Sequence, residues 1–136
     1  MLLRTLRTGR RGRTASQRTR VLSLCFLLTA SGIACSQPTP EEQVAQGHTL
    51  YDAFCASCHE IERGIGPKLT PEVLATRVSA GALFRYTRMN MPYEAGNTLT
   101  EAEYWAITAY LLNRHGLMDA DIVLNPESAE GLLLGK

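Results

Sequence analysis

Residues 54–60 read FCASCHE, and the fold turns on what Cys55, Cys58 and His59 are for. Two thiols three positions apart, with an imidazole directly after the second, put three donors on little more than one turn of chain. The flanking sequence has to say what they hold.

The chain has 136 residues, 45% of them hydrophobic and only 7% aromatic. That is enough for one small globular domain with a modest core, which a bound cofactor would help to stabilise. The formal net charge of +1 conceals a segregation. Residues 1–34 hold seven arginines and no acid, whereas the remainder sets seven basic residues against all thirteen carboxylates, a balance near −6. An acidic folded portion argues against nucleic acid as its partner.

The basic head leads into VLSLCFLLTASGIAC, Val21 to Cys35. An arginine-rich start, an apolar run of about 13 residues and small residues before a cleavable point describe a secretory signal peptide over 1–34. The run is shorter than the roughly 17 to 25 apolar residues of a membrane span, so an uncleaved anchor is the lesser reading. Gly32-Ile33-Ala34-Cys35 resembles a bacterial lipobox, with Gly32 where leucine is usual. Cys35 would then carry lipid and become the N-terminus, and residues 35–39 would form a short polar tether. Ordinary cleavage after Ala34 is the alternative. Both routes export the protein to the periplasmic side of a bacterial membrane. Removal of Cys25 and lipidation of Cys35 leave only Cys55 and Cys58 for chemistry, so no disulfide framework is expected.

Three readings of FCASCHE follow. A thioredoxin-like redox pair belongs in a βαβ setting, and nothing here alternates like strands. A structural zinc site needs four ligands, and the remaining histidines, His48 and His115, are scattered. A c-type haem requires these three residues in this order: the thiols add across the two vinyl groups, and the histidine ligates iron. One covalent haem c is the expectation.

The surroundings read as helices. Thr39-Pro40-Glu41-Glu42 is a capping box with proline in the first turn, predicting a helix from Pro40 to about Ala53. Its apolar face carries Val44, Gly47, Leu50, Tyr51 and Phe54. A mid-helix glycine costs about 1 kcal/mol against alanine, so Gly47 suggests another backbone passing close by. Thr100-Glu101-Ala102-Glu103 is a second capping box, with Leu99 and Tyr104 as a hydrophobic staple and Gly116 as a stop. Between them YWAITAYLL is apolar nearly all round, which predicts a buried helix with Trp105 and Tyr110 as core. Thr70 and Pro71 open a shorter helix ending near Gly81, and another covers roughly Ala82 to Asn90. No segment alternates with period two, so the fold class is all-α.

In this order, Gly47, Tyr51, Cys55-Ala-Ser-Cys58-His59, Gly66-Pro67, Leu69, Met91-Pro92 and Tyr110-Leu111 resemble a class I monohaem cytochrome c over about residues 40–115. The resemblance implies a cytochrome domain over 40–116, followed by a C-terminal extension over 117–136. It also implies that the N- and C-terminal helices cross at Gly47, and that the Pro67 carbonyl accepts the Nδ1 proton of His59 as proximal ligand. Such a bond fixes the ring and raises its basicity.

Candidates for the sixth iron ligand are Met89, Met91, Met118, His48 and His115. Met91 leads, because Pro92 biases it out of helical conformation and opens a loop. With both axial positions filled, the iron has no open site, and the protein is an electron carrier rather than an enzyme. The run from Leu83 to Leu117 is similar to cytochrome subunits of periplasmic dehydrogenases for sulfite and sulfur compounds, or of quinoprotein alcohol dehydrogenases. Redox proteins are the expected partners. If Met91 is not a ligand, the alternative is a five-coordinate haem enzyme of peroxidase type, or a gas sensor.

Overall fold

The computed structural model describes residues 37–135; the signal peptide and Cys35 lie outside the described residues. The described residues hold six helices in order: α1 Pro40–Phe54, α2 Ala56–His59, α3 Pro71–Ala75, α4 Ala80–Asn90, α5 Glu101–Arg114 and α6 Pro126–Glu130. Among the described residues there is no strand, only an isolated antiparallel bridge between Ser79 and Leu133. The all-α expectation therefore holds.

Both capping boxes form. The Thr39 hydroxyl accepts from Glu42 N while the Glu42 carboxylate accepts from Thr39 N, and Thr100 and Glu103 repeat the arrangement. Each pair satisfies helix-end donors that would otherwise lack partners.

The two helices so started, α1 and α5, pack on each other and set the frame. A Cβ on Gly47 would overlap the Ala106 carbonyl and come within 2.8 Å of Tyr110 Cβ. The glycine is thus required by the close approach of the α5 backbone. Tyr104 to Ala109, Leu111 and Leu112 are buried, as the apolar run of α5 predicts. Trp105 stacks on Phe84 of α4 with centroids 3.6 Å apart.

The buried face of α1 differs from expectation. It consists of Gln43, Gly47 and Tyr51, while Val44 and Leu50 are half-buried and Phe54 is 43% exposed. Gln43 is inside because its amide serves the backbone of Leu124: Nε2 donates to Leu124 O at 2.8 Å, and Oε1 accepts from Leu124 N at 2.8 Å. This bidentate pairing ties the segment after Gly116 to α1. That segment also buries Met118, Leu124, Ala129 and Leu134 in the core.

The α3–α4 boundary is displaced as well. α3 stops at Ala75, Val78 has φ 66°, and Ser79 caps α4 by accepting from Ala82 N at 3.2 Å. The chain needs this break because the tail bonds into it: Ala80 N donates to Leu132 O, and Leu134 N to Val78 O, both at 2.9 Å.

Gly47→Val should lower the stability of the holoprotein by about 3 kcal/mol or more, the upper end for overpacking a tight contact. Gln43→Met keeps the volume but strands the Leu124 amide and carbonyl, and should cost about 2 kcal/mol or more. Urea unfolding of both variants checks this; wild-type midpoints would contradict the packing described.

Candidate haem site

α1 ends by delivering Cys55 as its C-cap, and the single turn of α2 carries Cys58 and His59. All three line one cavity of about 690 Å³. Its other walls come from the loop through Ile65 and Leu69, from α3 and α4, from Met91 to Tyr93, and from Ile107 and Leu111 of α5. The surface is mostly apolar, as suits a large planar organic group.

His59 is 7% exposed, and its Nδ1 lies 2.7 Å from Pro67 O. A backbone carbonyl can only accept, so Nδ1 carries the proton and Nε2 is left with a free lone pair. Gly66 makes this orientation possible: a Cβ there would stand 2.6 Å from His59 Cε1. Gly66 N also donates to Cys58 O at 3.2 Å, folding the loop against the Cys-Cys-His turn.

The turn is tied down from outside. Tyr51 OH donates to Glu60 at 2.7 Å, and Arg114 NH1 donates to the same carboxylate oxygen at 2.8 Å. These bonds, Arg114's first, hold the Glu60 carboxyl below its ordinary pKa. A depressed carboxylate contributes stability above the ordinary carboxylate range and loses it as the pH falls through the lowered value. The pair is well exposed, so its contribution is small.

Burial first, and then neighbouring Cys58, push the Cys55 thiol up to about 11. A thiol neutral at pH 7 is the opposite of the activated cysteine in a redox-active Cys-X-X-Cys pair. Among the described residues no three His, Cys, Asp or Glu side chains group to hold a metal ion on their own. The donor set instead fits a haem: two thiols for the vinyl groups and one imidazole with Nε2 available.

Of the five sixth-ligand candidates, Met91 lines the cavity and the other four do not. Met89 is 68% exposed, and Met118 is buried in the core. His48 stacks on Tyr110 and pairs with Asp52 at 3.4 Å, while His115 caps α5. Met91 is the C-cap of α4 in extended conformation (φ −126°, ψ 144°), as its position before Pro92 predicts. Tyr104 OH donates to Met91 O at 2.9 Å, and Asn97 N to Arg88 O at 2.8 Å, holding the loop onto α4 and α5. From the sequence Tyr104 is a staple, and its hydroxyl is the one local sign of the bond to Met91 O. Arg77 and Tyr86, which carry no local sign, also line the cavity.

No curated protein and no solved structure matches the chain. Residues 42–111, 70 of the 136, match the family model described as cytochrome c oxidase, cbb3-type, subunit III. The chain therefore belongs to this family of class I c-type cytochrome domains, and its cofactor is a covalently bound haem c.

Proposed function

We propose that this is an exported monohaem cytochrome passing single electrons between a periplasmic dehydrogenase and a respiratory acceptor. The observation that carries the reading is the convergence of Cys55, Cys58, His59 and Met91 on one apolar cavity. When bound, haem c supplies an iron that changes oxidation state by one electron. Cys55 and Cys58 would hold it through thioethers, and His59 Nε2, its ring fixed by Pro67, and the Met91 sulfur would ligate the iron. A thioether ligand favours the ferrous form and raises the potential. Iron so held would leave substrate no place on the metal, and electrons would enter from one protein and leave to another.

Export and membrane attachment rest on the sequence: the arginine-rich head, the apolar run and Cys35 before a polar tether. No helix among the described residues is long and apolar enough to cross a membrane. The acidic balance of residues 35–136 supports docking on a basic partner face, with association slowing as salt rises.

Met91→Ala should abolish the weak far-red sulfur-to-ferric-iron band, lower the potential and open the ferrous protein to carbon monoxide, while Met89→Ala leaves all three unchanged. Carbon monoxide binding by the wild type would instead favour a five-coordinate enzyme or gas sensor. Cys35→Ser should release the protein from membranes. A wild type already soluble, with an unmodified N-terminus, would rule out the lipid anchor. Rapid mixing of reduced holoprotein with candidate acceptors tests the carrier role itself, and turnover of a small substrate by the holoprotein alone would overturn it.

A further inference from the structure

Residues 117–134 lie beyond the part of the chain that matches the family, yet they are built into the fold. Leu117 N donates to Leu112 O at 2.8 Å, turning the chain back at the end of α5. Leu124 then pairs with the buried Gln43 amide of α1 through both of its backbone groups. Capped by Asn125, α6 lays Ala129 against the first turn of α4, where a Cβ on Gly81 would stand 3.9 Å from Ala129 Cβ. Leu132 O accepts from Ala80 N and Leu134 N donates to Val78 O, with the Leu134 side chain buried. The segment is a strap fastened at three places: to α5, to α1 and to the start of α4.

The fastening at α4 carries backbone strain. Val78 is β-branched and sits at φ 66°, in the left-handed region that such residues avoid. A conformation of that kind persists only where the surroundings over-determine it. Here the strap does so, bonding to the backbone on both sides of Ser79.

The helices on which α4 packs are α5 and α6, and its far end is capped by Met91. Between its two ends Leu83, Tyr86 and Thr87 line the cavity. A hydrogen-bonded helix is stiff along its length, so where its first turn is held bears on where its last residue stands.

We propose that the strap fixes α4 as a lever and thereby holds the Met91 sulfur at the cavity, with Gln43 as its anchor on α1. Gln43 and Leu134 are positioning residues, and neither lines the cavity. The inference rests on the haem reading above, with Met91 as an iron ligand. The strap acts by making local opening of residues 80–97 costly, which keeps the sulfur in place.

Carbon monoxide uptake by the ferrous holoprotein, with the potential measured alongside, tests the proposal, because uptake waits on departure of the sulfur. Gln43→Met and Leu134→Ser unfasten opposite ends of the strap. Each should speed uptake by roughly tenfold or more, as losing two buried hydrogen bonds or a buried apolar side chain shifts a local opening equilibrium, and should lower the potential. Leu133→Ser, at an exposed position of the same strap, should change neither reading. Thr39→Ala removes the cap of α1 and lowers the urea midpoint, and it should also leave uptake and potential unchanged. Strap variants with wild-type uptake, or Thr39→Ala speeding it as much as they do, would overturn the proposal and reduce the strap to general stabilisation. If neither strap variant yields holoprotein, native-state hydrogen exchange of the wild type in rising urea decides. Amides of the strap and of residues 80–97 that share one urea dependence, distinct from that of the α1–α5 crossing, support the proposal, and any other pattern contradicts it. A wild type without the far-red sulfur band would show instead that Met91 is not a ligand, and this inference falls with that reading.

Discussion

The contact on which the rest depends is the passage of α5 over Gly47. Because a Cβ there would overlap the Ala106 carbonyl, this position lets the helices approach backbone to backbone. That closeness puts Tyr51 of α1 and Ile107 and Leu111 of α5 along one cavity, so the crossing and the cavity have a single cause. Tyr104 and Arg114, on the same α5, then hold Met91 O and Glu60, one on each segment that feeds donors into the site. Rigid elements thus position the groups that chemistry needs fixed.

What the sequence made legible was whatever is encoded locally. Thr39 and Thr100 announce α1 and α5 through side chains that bond within three residues. Cys55, Cys58 and His59 share one turn, and Met91 is set apart from Met89 by the proline after it. The misses are long-range. Gln43 looks like a solvent-facing polar residue until Leu124, 81 positions away, is brought to it. Ser79 caps α4, but the break it serves is imposed by residues 132–134 pairing across it. Arg77 gave no local signal, since what distinguishes it is a ring from the next helix and the cavity both face.

The site itself has a division of labour. Two cysteines and a histidine are held from behind by Gly66, Pro67 and Glu60, all within twelve residues of Cys55 in the chain. The opposite contribution, from Met91, depends on a loop closed by Asn97 and Arg88 and on Tyr104 from another helix. The Cys-Cys-His turn is therefore a local property of the chain, and the placing of Met91 at the cavity is a property of the whole fold. Destabilising the fold should loosen the second before the first, because no thioether restrains residues 89–97.

Covalent attachment at Cys55 and Cys58 is the claim on which everything functional rests. Intact-mass measurement of the mature protein, expressed with haem-attachment machinery and denatured in acidified organic solvent, tests it most directly. The account predicts a chain heavier by one haem, with the extra mass on the peptide containing Cys55 and Cys58. A chain at its bare polypeptide mass, with haem left in the solvent, would contradict it.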